Sequence, residues 1–309
     1  MGGERLLGEL VLPLVTPFDA RGEVDAGALR RLVEHVVAGR LADSLFVAGT
    51  TGEFYALTFD ERLRLFADAK AASGGRLPLV AGTGAATTRE TVALTEAAER
   101  LGYDAVAVIA PYFSRPGQDE LYAHVAAAAA ATRLPVVLYN IPLFTGVNLT
   151  PEVVARLAEL PNVVAVKDQA TANPLQVSDY LRAAPRLRVY SGDDPMTLPV
   201  LSQGGSGVVS GAAHVCGDLI REMIQRFKAG AVRDATALHQ RLFPLYRALV
   251  PPGRANPVPL VREAIRLATG LEVGPPRPPL LPPEAGEVER LRAALAALGR
   301  LSMGGESER

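Results

Sequence analysis

Residues 135–168 read PVVLYNIPLFTGVNLTPEVVARLAELPNVVAVKD, and this stretch decides the fold class. It opens on an apolar, β-branched run, 135–139, and closes on another, 163–167. Consecutive apolar positions mark strands covered on both faces. Between them, 151–157 carries apolar residues at helical spacing behind Thr150 and Pro151, a good N-cap and first-turn pair. The unit is strand, helix, parallel strand, and the same pattern recurs along the chain. Further strands are expected at 9–15, 44–47, 77–81, 105–109, 187–190 and 207–210. Helices are expected at 28–37, 59–71, 89–101, 120–131, 175–181, 195–201 and 218–228. Eight alternations at this spacing predict an α/β fold of the (β/α)₈ TIM-barrel type. A doubly wound sheet would carry a glycine-rich turn after its first strand, and Leu14-Val15-Thr16-Pro17-Phe18 is not one. Helical patterns continue at 232–249, 256–268 and 287–298. The expected organisation is therefore a barrel over 1–229, a C-terminal helical extension over 230–301, and a disordered tail over 302–309.

Composition excludes several function classes. The net charge of −1, without a basic run, gives no reason to expect nucleic acid or an anionic membrane as partner. The single cysteine, Cys216, forbids an intramolecular disulfide and a multi-cysteine zinc site. No apolar run reaches membrane-spanning length, and the N-terminus lacks a signal pattern. A cytoplasmic location is the expectation. Arginine dominates the basic residues; the lysines are Lys70, Lys167 and Lys228. Each lysine invites scrutiny, because arginine cannot act as an amine nucleophile.

Barrel chemistry sits at the C-terminal ends of the strands and in the loops that follow. Lys167 ends the run Val163-Val164-Ala165-Val166. An amine withdrawn from water is biased toward its neutral form, which attacks carbonyls. The iminium so formed is an electron sink for making or breaking a carbon–carbon bond. The bland reading is a buried lysine in a salt bridge. Tyr139 ends the preceding strand, where its phenol is placed to shuttle protons. Gly49-Thr50-Thr51-Gly52 offers backbone amides and hydroxyls suited to a carboxylate, or is an ordinary turn. Ser191-Gly192-Asp193-Asp194, Gln169 and Ser210 lie at the same rim. Gly192, Asp193, Gln169 and Ser210 are candidate substrate contacts. No histidine or third carboxylate completes a metal site beside the two aspartates.

Together these residues resemble the dihydrodipicolinate synthase/N-acetylneuraminate lyase superfamily. Val15-Thr16-Pro17-Phe18, Gly49-Thr50-Thr51-Gly52-Glu53, Pro111-Tyr112-Phe113-Ser114-Arg115-Pro116, Tyr139-Asn140-Ile141-Pro142, Val166-Lys167-Asp168 and Asn256-Pro257-Val258-Pro259 carry the resemblance in order. It implies Lys167 as the Schiff-base lysine and Tyr139 as the proton-transfer residue. Thr50 and Thr51 would hold the substrate carboxylate and join the relay, and the Val209 main chain would line the pyruvate site. It further implies a 2-oxo acid substrate, no metal or organic cofactor, and a homotetramer built as a dimer of dimers. The synthases carry an arginine where this chain has Phe144, and a second tyrosine where it has Phe113. The expected activity is therefore that of a class I aldolase cleaving a 2-oxo acid such as 2-keto-3-deoxygluconate to pyruvate and an aldehyde. Next to it stand 4-hydroxy-tetrahydrodipicolinate synthase, a 2-keto-3-deoxy sugar acid dehydratase and, in another class, a catalytically silent ligand-binding barrel.

Overall fold

The structure, a computed structural model, describes residues 7–169 and 171–302. Its strands are β1 (Leu10–Pro13), β2 (Ser44–Val47), β3 (Leu79–Gly82), β4 (Ala105–Ile109), β5 (Val136–Asn140), β6 (Val163–Asp168), β7 (Arg188–Ser191) and β8 (Gly207–Val209). They close into one barrel in chain order, β1 to β8. The pairs whose register is defined are all parallel, including β8 with β1. The (β/α)₈ expectation holds, and each expected strand is found within a few residues of its place.

Local chemistry explains the helix starts. Thr150 accepts a hydrogen bond from Val153 N (3.4 Å) and Pro151 opens helix Pro151–Ala158. Thr58 and Glu61 form a reciprocal capping box on helix Phe59–Ser73. The helix expected at 218–228 begins earlier, at Ala213, and is interrupted by non-helical backbone at Cys216. A four-residue helix, Pro142–Thr145, escaped the sequence because one turn is too short to show a period. The C-terminal part supplies helices Val232–Leu249, Val258–Thr269 and Ala285–Ala297. The expected tail lies outside the described residues from 303 onward.

By internal contacts the described chain divides into two units. The first holds residues 7–11, 43–46 and 78–210. Its core is the buried run of Val106, Val108, Val136, Leu138, Ala165 and Val166. The second holds 12–42, 47–77 and 211–302. It is centred on Phe66, Leu29, Leu32, Leu65, Leu260 and Ile265, all buried.

Candidate active site

In the first unit, β5 and β6 pair so that Tyr139 lies across from Lys167 and Asn140 across from Asp168. Side chains alternate along a strand, so Tyr139 and Lys167 share one face and the other two share the opposite one. Lys167 is 7 % exposed. Its Nζ lies 3.9 Å from the centre of the Tyr139 ring and 5.6 Å from that of Phe46. The Phe46 and Tyr139 rings meet edge to face at 6.0 Å. Lys167 also lines a narrow cavity of about 20 Å³, walled by Val11, Val80, Ala107, Val137 and Val209. That is room for about one water, with mostly apolar side chains around the amine. The bland alternative for Lys167, a salt bridge, has no counterpart among the ion pairs of the described residues.

Gly192 explains how the amine fits. A β-carbon there would meet Lys167 Cε and the Asp168 carbonyl oxygen, each at 3.1 Å. Its N–H donates to Asp168 O at 2.6 Å. The structure thus brings Lys167, Tyr139, Gly192 and Val209 together.

The other rim residues are held by protein partners. Gln169 Oε1 accepts from Leu143 N (3.2 Å). Asp193 Oδ2 accepts from the backbone N–H (3.0 Å) and hydroxyl (2.7 Å) of Thr171. Ser210, fully buried, donates to the Asp194 carboxylate. These bonds fix the loops after β5, β6, β7 and β8 at one rim. Phe113 is 96 % exposed and sits at φ 73°, a left-handed conformation that is uncommon without glycine. Phe144 is 38 % exposed on the short helix after β5.

Thr50 and Thr51 belong to the second unit, in the turn after β2. Glu53 N donates to Thr50 O (3.0 Å), and Thr16 Oγ1 donates to Gly52 O (2.6 Å). Gly52 is required, because a β-carbon would lie 2.9 Å from Leu14 O. The turn is anchored by a cluster that sequence reasoning missed. Glu53 is 0 % exposed, at φ 53°. Its Oε1 accepts from Arg262 Nε (2.9 Å) and Nη2 (2.6 Å), and its Oε2 from Arg277 N (2.9 Å). The Phe18 ring lies 4.9 Å from the Arg262 guanidinium carbon and 4.5 Å from that of Arg277. Arg277 pairs in turn with Glu61 and holds its carboxyl down to about 2, chiefly through that hydrogen bond.

His214, in the first turn of the helix that begins at Ala213, is held by backbone partners. Its Nδ1 lies 2.9 Å from Gly211 O, and Nε2 accepts from Val15 N (3.4 Å). These partners fit a neutral ring with the proton on Nδ1. Burial pushes its pKa down from 6.5 to about 4. A depressed folded-state pKa gives stability that is present above pH 6.5 and is lost as pH falls toward 4. By linkage that depression is worth about 3 kcal/mol. His214→Gln is thus expected to flatten the fall in urea midpoint between pH 7 and pH 4.5. Parallel wild-type and variant curves would show that the imidazole does not titrate in this way.

Comparison with known proteins places these features. The model of the Dihydrodipicolinate synthetase family matches residues 6–298. The 4-hydroxy-tetrahydrodipicolinate synthase of Desulforudis audaxviator is 46% identical over 289 residues, 93% of this chain and 96% of the relative. That of Moorella thermoacetica is 44% identical, covering 95% and 99%. The structure described as DHDPS from Cyanidioschyzon merolae with lysine bound superposes with a TM-score of 0.91. It is 41% identical over 96% of this chain and all (100%) of the other. No helix among the described residues is long and apolar enough to cross a membrane.

Proposed function

The chain belongs to the dihydrodipicolinate synthetase family, and from that premise we propose that Lys167 activates pyruvate for condensation with aspartate semialdehyde, the 4-hydroxy-tetrahydrodipicolinate synthase reaction. The family's enzymes are lyases of the class I aldolase type. They work through a covalent lysine Schiff base and no external cofactor. The observation that carries the assignment to Lys167 is its amine, buried at the end of β6 and set against the Tyr139 ring at 3.9 Å. The amine adds to the pyruvate carbonyl, and loss of water from the carbinolamine leaves the iminium. Tyr139 supplies and removes the protons of those two steps. Thr50 and Thr51 hold the pyruvate carboxylate, with the Val209 main chain beside it. Loss of a C3 proton gives the enamine, whose C3 attacks the semialdehyde aldehyde carbon. Gln169, Gly192, Asp193 and Ser210 shape the rim where that second substrate arrives.

The relatives' shared name puts the synthase reaction ahead of the keto-deoxy acid cleavage that the sequence suggested first. A second reading stays because of Phe144 and Phe113: aldol cleavage of a 2-keto-3-deoxy acid needs neither a second carboxylate partner nor a second phenol. Dehydration of such an acid shares the same iminium. The protein is proposed to act in the cytoplasm, as a homotetramer, with 1–229 as the barrel and 230–301 as its helical extension.

Incubation with pyruvate and borohydride, followed by peptide mapping, tests the common step: an adduct on Lys167 is expected. Rates of semialdehyde condensation and of pyruvate release from 2-keto-3-deoxy acids then separate the readings. Faster cleavage than condensation would replace the synthase reading by the aldolase one. Phe144→Arg is expected to lower the KM for aspartate semialdehyde by about 10- to 100-fold, the worth of one charged hydrogen-bonded pair. The KM for pyruvate should not change. An unchanged semialdehyde KM would show that position 144 does not meet its carboxylate.

A further inference from the structure

Behind Tyr139 and Lys167, on the opposite face of the same two strands, lies a second pair that the reaction does not use. Asn140 (0 % exposed) and Asp168 (1 %) are both buried. Asn140 Nδ2 donates to Asp168 Oδ1 at 2.8 Å, and Gln176 Nε2 donates to the same oxygen at 3.1 Å. Gln176 and Tyr180 stand one turn apart on helix Gln176–Ala183. Gln176 Nε2 also donates to the Tyr180 hydroxyl (2.7 Å), which donates to Leu149 O (2.6 Å). Leu149 N returns to Asn140 Oδ1 at 2.9 Å. The bonds close a ring that joins the ends of β5 and β6 to that helix and to the segment leading into helix Pro151–Ala158.

Two observations argue that this ring does more than fill space. First, the β5–β6 ladder is irregular between Val136 and Val137. Pairing at the lower end of the two strands therefore does not by itself dictate pairing at the rim. The Asn140–Asp168 bond lies one residue past Tyr139 and Lys167 and ties the strands above the irregularity. Second, Asp168 Oδ2 is buried and has no hydrogen-bond partner among the described residues. An orphaned carboxylate oxygen costs free energy that a neutral side chain would not. Burial accordingly pushes the Asp168 carboxyl up to about 6. A network selected for stability alone would not need the acid.

The geometry points to Asn140 and Asp168 as a positioning pair, whose clasp on the outer face sets β5 against β6 so that the Tyr139 phenol and the Lys167 amine meet in the geometry proton transfer needs. The pair touches no substrate; it acts through its chain neighbours. Proton transfer in the carbinolamine steps depends steeply on placement, and a misplacement of about 1 Å costs about 100-fold in rate. Pyruvate binding is assigned to other groups, so the effect falls on kcat rather than on KM.

The test is a reciprocal exchange. Asn140→Asp sets two carboxylates where one bond now joins amide and acid. It is expected to lower kcat by about 10- to 100-fold, with the pyruvate KM within about threefold of wild type. The double variant Asn140→Asp/Asp168→Asn restores one amide and one acid, and should recover kcat to within about threefold. Where Asn140→Asp does not fold, Asp168→Ala, which removes the carboxylate that ties Asn140 and Gln176 to β6, is expected to show the same kcat loss. A lowered melting temperature with wild-type kcat per folded enzyme would reduce the ring to a structural element and overturn the inference. So would a kcat loss that the double exchange fails to repair. The inference rests on Lys167 being the pyruvate amine, and borohydride trapping tells the two failures apart. A wild type without a Lys167 adduct sinks that reading and this one together. A trapped wild type, with variants that turn over at full rate, sinks the positioning role alone.

Discussion

Lys167→Arg is expected to leave a folded barrel that has lost turnover by about 10⁵-fold, the scale on which removal of a covalent nucleophile acts. Arginine keeps the charge and the long apolar stem, and it stacks on aromatic rings as lysine does. The contacts of Lys167 with Tyr139 and Phe46 thus have a substitute. What arginine cannot do is lose a proton and add to a carbonyl, so no iminium forms and no enamine follows. The tight space beside Gly192, 3.1 Å from Lys167 Cε, makes some rearrangement of the larger head group necessary. Circular dichroism and the melting temperature check that the fold survives it. The deciding measurement is intact mass after pyruvate and borohydride, where the wild type gains one reduced pyruvate and the variant gains nothing. Turnover within tenfold of wild type would remove the Schiff base from the mechanism.

The second large effect concerns stability. Arg262→Leu leaves Glu53 buried at 0 % exposure without the guanidinium that now gives its Oε1 two hydrogen bonds. Breaking a buried pair by removing one partner costs about 3–5 kcal/mol, because the remaining charge loses its counter-charge and keeps only the Arg277 N–H on Oε2. Arg262 also donates to Val273 O (2.7 Å) and to Thr16 O, so these carbonyls lose a donor as well. The urea midpoint should fall accordingly. Because Glu53 shares its turn with Thr50 and Thr51, the KM for pyruvate should rise in the same variant. The double variant Glu53→Gln/Arg262→Leu removes both charges and should cost less than the two single changes summed. Strict additivity would mean that the two side chains do not act as a pair.

How much of this was legible beforehand varies by residue. Lys167 stood out as a lysine at the end of an apolar run in an arginine-rich chain, and Tyr139 as the terminus of the strand before it. The register pairing of the two confirms that they share a face. Gly192 was singled out as a candidate substrate contact at the rim. Its role depends on the approach of Lys167 Cε, which no spacing rule encodes. Gln169, Asp193 and Ser210 were picked as possible substrate contacts from their places after strands. The structure adds that each already holds a neighbouring loop. Asp168 follows Lys167 directly and points to the opposite face, as strand alternation requires. Its partner Gln176, with Tyr180 one turn further on, was not foreseen, since both come from a helix whose rotation the sequence leaves open.

By itself the sequence determined the barrel and the lysine at the end of β6. A strand covered on both faces needs an unbroken apolar run, and a helix between strands needs a 3.6-residue period, so both are written locally. A lysine at a strand end is local in the same sense. Only the tertiary structure decided what surrounds these features: Phe46 against Lys167, Asn140 clasped to Asp168, and Glu53 held by Arg262, 209 residues away. Hydrogen-bond partners are chosen by distances of about 3 Å between atoms far apart in the chain. Those distances exist only once the strands have closed and the helices have taken their rotation on them.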